Sequence, residues 1–387
     1  MDALLPVFAR DLTLVKGKGV TLFDDAGRRY LDFAAGVAVN GLGYGDRKVV
    51  AAIREQAGRL IHASNLYYSE PVVALAQRLV EISFPSQVFF TNSGAEAVET
   101  ALKWARRIGH DQGRTEIVAF EGSFHGRTLG ALSITWNAAY REPFEPLLPG
   151  VRFVPFGDLA ALRAAVGPQT ACVIIEPIQG ESGVKPASDE YLRGVADVTR
   201  AAGALLVLDE IQSGLGRAGK MFAYQYAEVT PDILILAKPL GGGLPLGATL
   251  LRRDLCSHIK VGDHGSTFGG NPVAAAASLA VLDGLTAPGF IEGVAAKGEL
   301  LRQGLTKLAR RRKQIVEVRG RGLMVAAELA GPVVPVLNGL RERGFLAARS
   351  GEKVLRMLPP LVVKPAEIRR FLRALNEVLK TGAGQAV

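Results

Sequence analysis

The chain has 387 residues, 48% hydrophobic and 21% charged, enough for two domains with a sizeable core and too apolar for a disordered polymer. No apolar run reaches the ~20 residues that a membrane-spanning helix needs, and the start MDALLPVFARDL has no basic region leading into an apolar one, so the expectation is a cytoplasmic protein. The net charge of +9 raises nucleic-acid binding, but nine basic residues against two acidic ones fall between Lys297 and Arg321, where Leu301, Leu305 and Leu308 keep helical spacing. That pattern is a solvated helix face and helix end, and no nucleic-acid motif accompanies it. Cys172 and Cys256 form neither a disulfide framework nor a metal pattern.

The chain opens with a hairpin pattern. Val20–Phe23, the turn Asp24–Gly27 and the segment Arg28–Phe33 alternate apolar and polar residues around a Gly-containing turn. A helix is expected from Pro71, with Val72, Leu75, Ala76 and Leu79 on one face. A strand at Gln87–Thr91 then leads through Asn92, Ser93, Gly94, Ala95 and Glu96 into a helix that buries Val98, Ala101, Leu102 and Ala105. A strand, a small-residue loop and a helix start expose unpaired amides to an anion, and equally describe an ordinary helix cap.

The next strand, Glu116–Phe120, runs into Gly122-Ser123-Phe124-His125-Gly126-Arg127-Thr128. A guanidinium at this position suits a substrate carboxylate, and a surface ion pair is the plainer reading. His125 is read as a structural hydrogen-bonder, not a catalyst. Asn137–Pro149 reads as a loop, and the strand Ala171–Ile175 ends in Glu176-Pro177-Ile178-Gln179-Gly180-Glu181.

Two short apolar runs follow, Ala204–Leu208 and Ile233–Ala237, each ending in one charged residue, Asp209 and Lys238. Groups just past the carboxyl ends of buried parallel strands face the crevice where open α/β sheets bind ligands. A buried Asp–Lys pair kept for stability alone gains little, because desolvating both charges offsets their attraction. Lys238 is followed by Pro239 and by Gly241, Gly242 and Gly243, a loop that lets a ligand approach. The stretch HGSTFGGNP at 264–272 is a further loop before a helix, with Pro272 in the first turn. Past Ala287-Pro288-Gly289 a basic helix, strands at Ile315–Val318 and Leu323–Leu329, and a last helix at Ala366–Leu379 suggest a smaller α/β domain.

VLDEIQSGLGRAG, PDILILAK and GGG together resemble the class III pyridoxal-phosphate aminotransferases, and the resemblance runs from about Gly19 to Val363. SNLYYSEP at 64–71 and FHGRT at 124–128 resemble the acetylornithine branch of that family; Asp46-Arg47, where the family often has His-Pro, and Val98, where it often has Asn, depart from it. The resemblance implies the α/β fold type I: a large domain with a mostly parallel seven-stranded sheet, residues 46–285, and a smaller α/β domain from residues 1–45 and 286–387. It implies pyridoxal 5'-phosphate as cofactor, with Lys238 as the Schiff-base lysine and Asp209 facing the pyridinium nitrogen. Ser93, Gly94 and Ala95 form the phosphate cup, Phe124 and Ile211 take the two ring faces, and Gln212 meets the phenolic oxygen. Thr267 reaches the phosphate of a second subunit's cofactor, which makes a homodimer with shared sites the catalytic unit. Arg127 holds the substrate α-carboxylate, Ser266 lies near substrate, and Glu181 with Arg356 forms a movable ion pair. The implied reaction moves an amino group from N-acetylornithine to 2-oxoglutarate. Ornithine, succinyldiaminopimelate and carrier-protein-bound lysine aminotransferases share nearly all of these residues. A pyridoxal-phosphate aminomutase or epimerase has no need of the Glu181–Arg356 switch, and a non-catalytic binding protein has no need of Lys238 and Asp209.

Overall fold

The computed structural model describes residues 3–385. Its largest sheet has seven strands, in the order Ser86–Thr91, Gly247–Arg252, Ile233–Leu236, Leu205–Asp209, Thr170–Ile175, Glu116–Phe120 and Val151–Val154. Gly247–Arg252 runs antiparallel to both of its neighbours, and the pairings from Ile233–Leu236 to Val151–Val154 are all parallel. This is the mostly parallel α/β sheet that the resemblance implies.

The central strands are apolar throughout because helices cover both faces. Side chains alternate across a strand, so Leu206, Leu208, Leu234 and Leu236 enter one core. Leu205, Val207, Ile233 and Ile235 enter a second core on the other face. The helix Gly94–Gly109 buries Ala97, Val98, Ala101, Leu102 and Ala105 in that second core. On the first face the helix Asp189–Ala201 buries Leu192, Val195 and Ala196, and the Ser188 hydroxyl caps its start by accepting from the Tyr191 amide.

Two four-stranded sheets lie outside this layer. Thr21–Asp24 and Arg29–Asp32 form the expected hairpin, Leu14–Lys18 adds a strand beside Thr21–Asp24 that the sequence reading lacked, and Phe345–Leu346 adds to Arg29–Asp32 in parallel. Ile315–Arg321, Met324–Leu329, Val354–Met357 and Ala348–Ser350 form an antiparallel sheet. The last helix, Pro365–Lys380, stacks Phe371 on Phe33 with ring centroids 4.1 Å apart.

Three details differ from or extend the sequence reading. The segment read as a loop at Asn137–Pro149 contains a helical turn, Ala138–Arg141, because the Asn137 side chain accepts from the Ala139 amide. Asp46, one of the departures from the family pattern, caps the helix Arg47–Arg59 by accepting from the amides of Lys48 and Val49. The basic run Arg310–Lys313 follows the helix Phe290–Ala309, where its charge faces the helix C-terminus. Among the described residues no single helix is long and apolar enough to cross a membrane.

Candidate active site

Parallel pairing of Leu205–Asp209 with Ile233–Leu236 sets Asp209 opposite Ile235, so Asp209 and Lys238 emerge from the same edge of the sheet. Lys238 opens a 3-10 turn, Lys238–Gly241, with φ at 39°. That left-handed backbone is costly for a side-chain-bearing residue and is held by the packed strands around it. A cavity of about 470 Å³ lies here, lined by Lys238, Asp209, Ser93, Gly94, Ala95 and Phe124, with Ile211, Gln212 and Arg127 also on its wall. Nine of the residues singled out from sequence therefore converge.

On one side the helix Gly94–Gly109 points its N-terminus at the cavity. The Ser93 hydroxyl accepts from the Glu96 amide at 3.2 Å, and Glu96 takes both the amide and the side chain of Asn92, at 2.7 and 2.9 Å. These caps leave the first-turn amides of Gly94 and Ala95 without an intrahelical acceptor. At Gly94 a Cβ would come within 2.9 Å of the Ile211 side-chain tip, so a larger residue there would make Ile211 shift. Gly126, with φ at 143°, lets the Phe124 loop pass equally close to Ala95 and Ala131.

Asp209 is fixed at both oxygens. Oδ1 accepts from the Ile211 amide at 3.0 Å, and Oδ2 lies 2.7 Å from His125 Nδ1, both side chains being buried. Burial opposes charge on His125, yet the hydrogen bond and the charges of Asp209 and Glu176 outweigh it and raise the imidazole above its ordinary range. Glu176 is buried as well. It accepts from the Phe124 amide at 3.0 Å and the Gly180 amide at 3.4 Å, and burial pushes it up to about 7 against the pull of His125. Neither His125 nor Glu176 was given a site role from sequence. A histidine beside a phenylalanine carries no local signal of an aspartate two strands away in the sheet.

Glu181 and Arg356 meet at 2.5 Å, with the arginine almost fully buried. Burial works against charge on Glu181, but Arg356, with help from Lys238 and Gln212, holds its carboxyl below the usual glutamate range. Gln212 bridges the pair: it accepts from Arg356 and donates to Glu181, both at 3.3 Å. Gln212 thus belongs to the ion pair as well as to the cavity wall, a link that the sequence reading lacked. Burial also pushes the Lys238 amine below the ordinary lysine range, against the opposing charges of Glu181 and Asp209.

Arg127 is exposed. Its guanidinium lies over the Tyr140 ring, 3.5 Å from the centroid, and makes no ion pair among the described residues. Ser266 and Thr267 do not join the Lys238 cavity within the chain. Thr267 lines a second cavity of about 610 Å³ with His62, Tyr67 and Phe268. Ser266 accepts from the Gly269 amide at 3.0 Å and from Asn92 at 3.4 Å, and Asn65 donates to the Ser266 and Gly269 carbonyls. The SNLYYSEP segment therefore packs on this loop.

A lysine and an aspartate at the ends of two neighbouring parallel strands, facing a helix start with free amides, are the arrangement of a pyridoxal-phosphate transferase of fold type I. Residues 7–379 match the family model described as aminotransferase class-III. An acetylornithine aminotransferase of Brucella melitensis is 44% identical over 373 residues, covering 95% of this chain and 93% of that one. An N-acetylornithine aminotransferase of Stenotrophomonas maltophilia superposes with a TM-score of 0.85 at 37% identity, over 97% of each chain. The ornithine aminotransferase of Toxoplasma gondii, solved with pyridoxal phosphate partially occupying its active site, superposes with a TM-score of 0.95 at 32% identity, over 98% of this chain and 92% of that one. The chain belongs to the class III aminotransferases: it is an aminotransferase, and its cofactor is pyridoxal 5'-phosphate. The residues present fit that group. Free amides at Gly94 and Ala95 suit a phosphate, the missing Cβ of Gly94 lets Ile211 pack close beside it, and a buried carboxylate and a pushed-down amine face the same space.

Proposed function

We propose that the protein transfers the δ-amino group of N2-acetyl-L-ornithine to 2-oxoglutarate, giving N-acetyl-L-glutamate 5-semialdehyde and L-glutamate, a step of arginine biosynthesis. The observation that carries this reading is the Glu181–Arg356 pair, its arginine buried, bridged by Gln212. A site that takes two differently charged substrates in turn needs an arginine that is masked for one and free for the other. The relatives named as acetylornithine aminotransferases support the donor.

When bound, the cofactor supplies an electron sink and carries the amino group between the two half-reactions. The chain's residues then divide the remaining work. Lys238, its amine favoured in the neutral form by burial, bonds to the cofactor and moves the proton at the donor's amine-bearing carbon. Asp209 holds the proton on the ring nitrogen. Ser93, Gly94 and Ala95 would hold the phosphate, Phe124 and Ile211 would hold the ring between its two faces, and Gln212 would donate to the phenolic oxygen. Arg127 takes the donor's α-carboxylate with Ser266 nearby. Glu181 masks Arg356 for the donor and releases it for the dicarboxylate acceptor.

The same reading makes a homodimer the catalytic unit, with Thr267 reaching the phosphate site of the second copy. Its placement on an exposed loop beside a second cavity supports this. The reading also divides the chain at 45/46 and 285/286 and sets the protein in the cytoplasm. The addition of Phe345–Leu346 to Arg29–Asp32 supports a small domain drawn from both ends. A donor panel with 2-oxoglutarate tests the reaction, comparing N-acetylornithine, ornithine, succinyldiaminopimelate and an N-acyl lysine. N-acetylornithine is expected to give the highest kcat/KM, and a higher value for any other donor overturns the assignment. Lys238→Ala is expected to abolish turnover and the borohydride-fixed adduct on the peptide that carries position 238.

A further inference from the structure

His125 is built to act on Asp209. Its main-chain amide donates to Thr135 Oγ1 at 3.0 Å, and that hydroxyl in turn donates to the Ala131 carbonyl at 3.0 Å. Backbone and ring are thereby locked before any ligand arrives. The ring spends its hydrogen bonding at one atom only: Nδ1 meets Asp209 Oδ2, while Nε2 is buried and has no partner among the described residues. A side chain kept for packing alone gains nothing from an unpartnered buried nitrogen, which an apolar residue of the same bulk avoids.

The bond has a definite effect. With Ile211 on Oδ1 and His125 on Oδ2, the Asp209 carboxylate cannot rotate without losing both donors. Each oxygen keeps a free lone pair for a group in the cavity. The charged groups that face the imidazole are Asp209 and Glu176. Glu176 is pinned by the amides of Phe124 and Gly180, so the loop that carries Phe124 and the loop that leads to Glu181 share one anchor.

We propose that His125 is a positioning residue, whose Nδ1–H fixes the rotation of the Asp209 carboxylate opposite the cofactor ring nitrogen. This rests on the reading of Asp209 given above. It predicts that one donor at the Nδ1 position is sufficient. Asparagine supplies that donor, leucine keeps the bulk without it, and glutamine carries its amide one bond too far.

The test compares His125→Asn, His125→Leu and Asp209→Asn. Cofactor affinity is read by titrating the apo-protein with pyridoxal phosphate, fold integrity by the urea midpoint of the apo-protein, and turnover as separate kcat and KM. His125→Leu is expected to weaken cofactor binding about 10-fold and lower kcat about 100-fold, with donor KM within about 3-fold and the urea midpoint unchanged. His125→Asn is expected to recover most of both losses. Should the leucine variant not fold, His125→Gln takes its place with the same expectation. The proposal is overturned if the leucine variant matches wild type in affinity and kcat, or if asparagine falls as far as leucine. If Asp209→Asn itself keeps wild-type affinity and turnover, the reading of Asp209 fails and the proposal with it. If Asp209→Asn loses both while His125→Leu keeps them, the proposal alone fails.

Discussion

Two carboxylates show how single residues set the behaviour of this protein. Glu210 is buried and accepts from the amides of Ala223 and Tyr224, both at 2.7 Å. Burial pushes it up to about 7, against those amides. An acid whose folded value lies above its unfolded one contributes stability that is complete below about 4.5 and is withdrawn as pH rises to about 7. Wild type is therefore expected to lose roughly 3 kcal/mol relative to Glu210→Gln between pH 5 and pH 8, read from urea midpoints; a pH-independent difference refutes this. Glu181→Ala leaves Arg356 without its carboxylate, so KM for 2-oxoglutarate is expected to fall and donor KM to rise, changing their ratio about tenfold. An unchanged ratio counts against the switch. Asp209 and Lys238 were legible because each ends an apolar run, a pattern that puts a charge at a strand edge. Gln212's bond to Arg356 and Arg127's contact with Tyr140 were not, since each depends on how separate loops pack.

Among the elements, the helix Gly94–Gly109 and the loop that carries Ser266 and Thr267 are tied by His264. Thr100 Oγ1 donates to the Glu96 carbonyl at 2.9 Å, so it accepts from His264 Nε2–H at 3.0 Å. That leaves Nδ1 to accept from the Lys103 ammonium at 2.9 Å. The bond from Lys103 exists only for the neutral ring, since a protonated Nδ1 cannot accept. Burial, with Lys103 and against Glu96 and Glu99, holds His264 below the ordinary histidine range. A histidine lowered in the folded state stabilises above its unfolded value, near 6.5, and that contribution is lost as pH falls. Amide exchange over residues 263–269, corrected for its intrinsic pH dependence, is expected to quicken between pH 7.5 and 5.5 in wild type and not in His264→Gln. Equal responses would remove His264 from the anchor. At this scale most strands and helices were readable from their apolar periods. The antiparallel place of Gly247–Arg252 was not, because GATLLR carries no mark of which strands it lies between.

At the level of the whole molecule, Arg217 ties the segment after the strand Leu205–Asp209 to two turns beside the C-terminal antiparallel sheet. Its fully buried guanidinium donates to the Leu323 carbonyl at 3.0 Å and to the Pro359 carbonyl at 2.6 Å, and burial lowers it to about 9. The assembly proposal is tested at the same scale. In a mixed dimer of Lys238→Ala and Thr267→Ala chains, one of two shared sites keeps both native residues. Activity is expected to return on mixing and re-associating two impaired homodimers, and no return would oppose the shared site. The strands and the last helix beyond Ala287-Pro288-Gly289 were legible because the composition changes there and the apolar periods continue. The contacts that hold them, Arg217 on Leu323 and Phe33 on Phe371, depend on tertiary packing and have no local pattern.

The sheet order also constrains how the chain is made. Ser86–Thr91 has only Gly247–Arg252 beside it, and the open side of Arg29–Asp32 is covered only by Phe345–Leu346. A nascent polypeptide leaving the ribosome therefore carries two bare strand edges until its later portions emerge. Its amino-terminal third cannot settle early, and translation must be almost complete before the last backbone pairings are made.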